Sequence, residues 1–257
     1  ALYVEFTKFR AEFFSLGNLF WSYDFEPGDD INLILNTALD EIVVPEGLSF
    51  VKWVTYSDKD VPAVLPNEDI DIFAKYELVD IEYLDIVGNV PNYEIYSYGE
   101  YDSVTYTADM PIISGDEYEI FYSYLWTING VEQTGTSSSL AVSGLDVGTY
   151  EIKVVATATA TSIGTVSREA TLTLTVTPAS MNVSAVGGTI TYDGQAHNIT
   201  VNSLPGDVVE YKVEGGDWTS NLELVNTGTY NVYYRVLRAN YNAFECSEPV
   251  TLTITKK

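Results

Sequence analysis

The chain repeats itself with two different periods, which restricts it to small domains in series. Leu2-Tyr3-Val4-Glu5-Phe6 shares its pattern with Ile72-Phe73-Ala74-Lys75-Tyr76, about 70 residues on. Gly148-Thr149-Tyr150 returns as Gly228-Thr229-Tyr230, about 80 residues later. Thr171-Leu172-Thr173-Leu174-Thr175 returns at the same interval as Thr251-Leu252-Thr253-Ile254-Thr255. A chain of 257 residues has room for three such units, each closing its own core. Strings of small domains span distance or present something more often than they do chemistry.

The residue types agree with strands. There are 20 Tyr, with many Thr and Val and few Ala-rich or Leu-rich stretches. Acidic side chains outnumber basic ones by 37 to 12, a formal charge of −25 that repels nucleic acid and anionic lipid. Cys246 is the single cysteine, so no intrachain disulfide forms. No apolar run is long enough to cross a bilayer as a helix. Ala1 to Phe6 has the pattern of the last strand of a preceding repeat, which predicts that the chain was cut from a longer parent.

Along the first unit, Phe9, Ala11 and Phe13 alternate with polar residues, and Leu19 to Phe25 returns after Gly17-Asn18, a predicted hairpin turn. Apolar residues at 31, 34, 35, 38, 39 and 42 predict a single helix near 31–43, with Asp30 as N-cap and Pro45-Glu46-Gly47 as stop. Phe50 to Tyr56 and Ile70 to Tyr76 are two further strands. Strand, strand, helix, strand, strand predicts a sheet curled around one helix, a β-grasp arrangement. From 80 to 178 and from 179 to 257 the pattern is all strand. It includes Asn129-Gly130, the strongest hairpin signal in the chain, and Trp126 as a candidate buried sandwich tryptophan.

Two stretches resemble known families. Gly47-Leu48-Ser49-Phe50-Val51-Lys52-Trp53 and Leu65-Pro66-Asn67-Glu68-Asp69-Ile70-Asp71-Ile72-Phe73-Ala74-Lys75-Tyr76 resemble the internalin B-type, or Listeria–Bacteroides, repeat, with Leu48 where that family usually has an aromatic. Tyr192-Asp193-Gly194-Gln195-Ala196-His197, Val209-Glu210-Tyr211, Gly216 to Trp218, and Asn226 to Arg235 resemble the MBG-type domain of bacterial adhesins. Asp146-Val147-Gly148-Thr149-Tyr150 resembles the tyrosine-corner region of immunoglobulin-like domains. These resemblances imply a mainly β, multi-domain tandem array: one β-grasp-like module, then two Ig-like β-sandwich modules. The expected divisions are 1–6 (end of a preceding repeat), 7–79, 80–178 and 179–257. They further imply an extracellular protein, secreted or held at a bacterial cell surface. It would act as a stalk or spacer and as adhesion modules, with a host or neighbouring-cell protein or glycan as partner. It is expected to be a monomer without catalysis or cofactor. The alternative is a carbohydrate- or protein-binding accessory module of an extracellular enzyme.

Each residue with chemical potential has a plainer role. His197, the only histidine, lacks the Gly-x-Ser-x-Gly elbow that a serine hydrolase needs. Cys246 lacks partners for zinc. Asp24-Glu26-Asp29-Asp30 and Asp58-Asp60 are carboxylate-rich turns that could hold calcium, yet neither has EF-hand spacing. Trp21, Trp53, Trp126 and Trp218 could stack on sugars, yet each lies in a strand pattern. Lys153 and Lys212 would be the candidates for a Lys–Asn isopeptide bond, but both fall on the outward phase of their strands. The predicted catalytic, cofactor and metal sets are therefore empty.

Overall fold

Asp30 starts the one α-helix among the described residues, which are 7–113 and 118–257 of this computed structural model. The strand predicted for Ala1 to Phe6 lies outside them. The Asp30 carboxylate accepts the Asn32 N–H at 3.0 Å, as an N-cap should. The helix, α1 (Ile31–Glu41), buries Ile31, Ile34 and Ala38. It stops two residues short of the predicted end. The run Ile42-Val43-Val44 is β-branched, and Pro45 disfavours helical backbone at Val44.

Five strands accompany α1: β1 (Phe9–Ser15), β2 (Asn18–Phe25), β3 (Leu48–Thr55), β4 (Lys59–Asp60) and β5 (Ile70–Leu78). Their order is β2-β1-β5-β3-β4. β1 and β5 pair in parallel, Phe13 opposite Ile72, which requires a crossover, and the α1 segment lies on it. The β-grasp expectation therefore holds. The first hairpin turns one residue earlier than predicted: Leu16 (φ 46°) and Gly17 (φ 82°) form the loop, and Asn18 already begins β2. The core combines Ala11, Phe13, Phe25, Trp53, Leu65 and Ile72 with the helix residues.

The remaining strands are short or medium. Ile120–Ile128 pairs antiparallel with the Ile152–Ala160 stretch of strand Gly148–Ala160. Asn129 (φ 49°) and Gly130 (φ 76°) make the predicted tight turn to Val131–Glu132. Ile152, Val154, Ala156, Ala158 and Ala160 alternate inward, all at most 2% exposed. Near the C-terminus, Gly188–Thr191, Val250–Thr255, Gly228–Leu237 and Val208–Val213 form a sheet in that order. Val232, Tyr234, Val236, Leu252 and Ile254 make its inner face, covered by Val183, Ile199 and Leu224. Among the described residues no charged or polar residue is buried whole, although the side chain of Asp207 is buried.

Contact density divides the chain into two compact units: residues 1–87, 107–140 and 151–172, and residues 88–106, 141–150 and 173–257. The division falls inside strands Val104–Asp109, Ser139–Val142, Gly148–Ala160 and Gly164–Thr177. Each unit therefore combines a terminal sheet with part of the strand set between.

Candidate functional site: a clasp in each unit

In the second unit, a five-residue loop holds two other segments. Strand Gly228–Leu237 ends at Arg238, whose guanidinium donates to both carboxylate oxygens of Asp207 at 2.7 and 2.9 Å. The Asp207 side chain is 1% exposed and also accepts the Leu204 N–H at 2.8 Å. The Arg238 pair first, then the Leu204 N–H, hold this carboxyl down at about 2. Arg238 also lies over the Tyr241 ring at 5.0 Å, and Tyr241 meets Tyr98 edge-on at 5.8 Å. Between them sits Asn240, in the left-handed region at φ 66°. Its Oδ1 accepts the Val147 N–H at 3.0 Å, its Nδ2 donates to Asp146 Oδ1 at 2.7 Å, and its carbonyl accepts the Ala179 N–H at 3.0 Å. The Asn242 N–H closes the ring onto the Ala179 carbonyl at 2.8 Å. One asparagine thus ties the 146–147 turn and the 178–180 segment to the C-terminal sheet.

Two tyrosine corners flank this arrangement. The Tyr150 hydroxyl donates to the Asp146 carbonyl at 2.9 Å, and the Tyr230 hydroxyl to the Asn226 carbonyl at 2.8 Å. The repeated Gly-Thr-Tyr phrase therefore has one structural meaning at both places.

The first unit has an apolar counterpart. Leu48, Tyr76 and Leu78 of the first sheet form one buried cluster with Ala160, against Ile120, Ile163 and Val166. The Tyr118 hydroxyl donates to the Glu46 carbonyl, and Arg168 donates to the Ile81 carbonyl at 2.6 Å.

The side chains marked in the sequence are dispersed and locally satisfied. His197 Nε2 lies 2.8 Å from Asp193 Oδ1, whose carboxyl is held below its usual range chiefly by the Gln195 N–H and then by His197. Cys246 is buried and its sulfur accepts the Tyr234 N–H at 3.1 Å. Asp24 pairs with Arg10 at 3.0 Å, Asp29 caps the Glu26 N–H at 2.9 Å, Asp58 pairs with Lys75, and Asp60 pairs with Lys52 at 2.6 Å. No cluster of metal-ligating groups occurs among the described residues. Trp53 and Trp126 are buried, and Trp21 packs on Phe13 with centroids 5.0 Å apart. Trp218 is flanked by Lys212 (4.3 Å) and the Arg235 guanidinium (4.8 Å). Lys153 pairs with Glu169 at 2.6 Å and Lys212 with Glu245 at 3.7 Å. Sequence reasoning did not single out Asn240 or Arg238. The only signal was Arg238-Ala239-Asn240-Tyr241-Asn242 itself, a polar turn directly after a strand.

A carboxyl depressed from 3.8 to about 2 stays ionised in the fold at pH values where the unfolded chain takes up a proton. Its contribution is present above about pH 4 and fades as pH falls toward 2. The expected result is that Asp207→Asn is less thermostable than the parent at neutral pH, and that the gap narrows as pH falls from 4 to 2. Melting curves of both proteins across that range check it.

No protein-family profile matches the sequence, and no curated protein matches it either. Among the solved structures to which the chain is similar are the following three. One is the Bacteroides ovatus mixed-linkage glucan utilization locus protein SGBP-B, solved with a mixed-linkage heptasaccharide: 15% identity over 63% of this chain and 42% of that one, TM-score 0.23. Another is a 1.5-MDa bacterial ice-binding adhesin: 15% identity, 69% and 65% coverage, TM-score 0.26. The third comprises three N-terminal domains of the bacteriophage RB49 Highly Immunogenic Outer Capsid protein: 14% identity, 92% and 93% coverage, TM-score 0.25. The chain spans under two thirds of the first two, and TM-scores of this size establish no function. Among the described residues, no helix is long and apolar enough to cross a membrane.

Proposed function

We propose that this chain is a non-catalytic spacer and presentation segment of a secreted or wall-anchored bacterial surface protein. It comprises three modules, 7–79, 80–178 and 179–257, and works as a monomer outside the cell. Its task is mechanical: it holds an adhesive or interacting element at a set distance and direction.

The observation that carries this reading is the clasp centred on Asn240. A flexible string of modules needs only a short linker, such as Pro178-Ala179-Ser180. Here that linker is instead hydrogen-bonded along its backbone to the 240–242 turn, and the same turn grips residues 146–147. Each net hydrogen bond contributes about 1 kcal/mol, so the set is worth several kT against bending. Ion pairs at the surface supply solubility in preference to strength.

Rigidity is the testable content. Spin labels at Glu100→Cys and Glu214→Cys, in a Cys246→Ala background, report one distance within the second unit. Electron–electron resonance should give a narrow distribution, and Asn240→Ala should broaden it. A distribution already broad in the parent would refute the spacer reading.

A further inference from the structure

The sequence anticipates no cleft, yet the first unit has one of about 630 Å3 beside its apolar cluster. That volume lies in the ordinary range for small-molecule sites, roughly 300–1,000 Å3. Its floor comes from the face of the first sheet that α1 leaves uncovered. Phe14 of β1 and Phe73 of β5 are register partners there, and their rings stack with centroids 5.1 Å apart and planes 23° apart. Both are half-buried, so part of this apolar plate remains open.

The polar lining has an unusual balance. Among the described residues that line the cleft, Asp58 and Lys75 carry charge, and they neutralise each other as an ion pair. Both remain accessible, with side chains 58% and 39% exposed, and so can serve an incoming group as acceptor and donor. Tyr118 spends its proton on the Glu46 carbonyl, which leaves its oxygen as an acceptor. Ser162 adds a hydroxyl of either sense. Asp58 is held in place by a backbone that few residues tolerate: it and Ser57 are consecutive non-glycine residues in the left-handed region, at φ 61° and 63°. Such conformations concentrate at ligand-holding sites.

We propose that this cleft binds a short neutral oligosaccharide. Its ligand must offer a flat C–H face to an aromatic plate and, around the rim, groups that both donate and accept hydrogen bonds. A pyranose has both, with its hydroxyls radiating from an apolar ring face. Anionic sugars are disfavoured because a chain of net charge −25 repels them and, among the described residues, no cation other than the paired Lys75 lines the cleft. Among the described lining residues the one carboxylate, Asp58, is already paired with Lys75, which leaves a cationic ligand no free partner there. The inference does not depend on the spacer reading, because the cleft lies within the first unit alone.

The experiment is a titration of the whole chain with cellotriose, maltotriose, xylotriose and mannotriose, and with trigalacturonate as the anionic control. Binding is read by calorimetry and by chemical shifts of aromatic side chains. At least one neutral trisaccharide should bind and shift Phe14, Phe73 and Tyr118 resonances. Phe73→Ala should weaken it at least tenfold. Asp58→Asn, which removes charge at nearly constant shape, should weaken it severalfold with an unchanged melting temperature. Failure of every neutral trisaccharide to bind overturns the proposal. So does binding that survives both substitutions, or trigalacturonate binding as tightly as the neutral sugars. The label-distance experiment on the second unit is unaffected by any of these outcomes.

Discussion

Phe13→Ala is expected to unfold the first sheet and its helix while the C-terminal core stays folded. Phe13 is fully buried, and three aromatic rings surround it: Trp21 at 5.0 Å, Trp53 edge-on at 5.3 Å and Phe20 at 6.5 Å. Truncating a buried phenylalanine costs about 3–5 kcal/mol, because the transfer energy is lost and the cavity collapses only partly. Three aromatic partners that cannot move independently make the upper part of that range the expectation. Small domains are stable by only about 5–15 kcal/mol in total, so the loss is decisive for a module of this size. The C-terminal core of Val183, Ile199, Val232, Tyr234, Val236, Leu252 and Ile254 shares no residue with it. Hydrogen exchange is the direct test. Amides in β1, β3 and β5 should lose protection at low temperature, and those of Gly228–Leu237 and Val250–Thr255 should keep it. Equal loss in both regions would mean that the cores are not independent and would remove the basis for a modular chain.

What could be read from the sequence, and what could not, follows from the range of the interactions involved. The Asp30 cap and the Asn129-Gly130 turn depend on residues a few positions apart and occur as the pattern predicts, and of the α1 stripe Ile31, Ile34 and Ala38 are buried while Leu39 is exposed. The tyrosine corner at Tyr150 reaches only four residues upstream and was likewise visible, and the same Gly-Thr-Tyr phrase makes a second one at Tyr230. The end of α1 was misplaced because apolar Ile42 continues the helical stripe, while local stiffness at Ile42-Val43-Val44 and Pro45 stops the helix. The hairpin at Leu16-Gly17 was displaced because leucine is a poor left-handed residue, and only register across β1 and β2 forces it there. The clasp and the cleft were not visible for a stronger reason. Asn240 meets Val147 and Asp146 across more than 90 positions, and Tyr118 meets Glu46 across 72. No periodicity encodes such pairs. Phe14 and Phe73 had no mark against a background of 13% aromatic residues, whereas the four tryptophans that drew attention proved to be packed or flanked by cations.

Trp126→Ala should destabilise the strands around it by about 3–5 kcal/mol, at the high end for a single substitution. Trp126 is 2% exposed, and its indole N–H donates to the Ser137 carbonyl at 3.0 Å. The paired strand explains why nothing can fill the space. Across the ladder, Val154 faces Trp126, Ala156 faces Tyr124 and Ala158 faces Tyr122, so small side chains lie opposite large ones. Alanine and valine cannot expand, and the neighbouring tyrosines are fixed by the same pairing. Trp126→Phe separates the two contributions. It restores most of the volume but leaves the Ser137 carbonyl without its donor, for an expected loss of about 1–2 kcal/mol. Urea denaturation followed by circular dichroism measures both variants on one scale. A loss under about 1 kcal/mol for Trp126→Ala would show that this tryptophan is not the keystone of its sheet. A loss in Trp126→Phe equal to that in Trp126→Ala would place the stabilisation in the hydrogen bond to Ser137 and not in the filled space. The alanine-rich strand Gly148–Ala160 would then need another reason for its small residues.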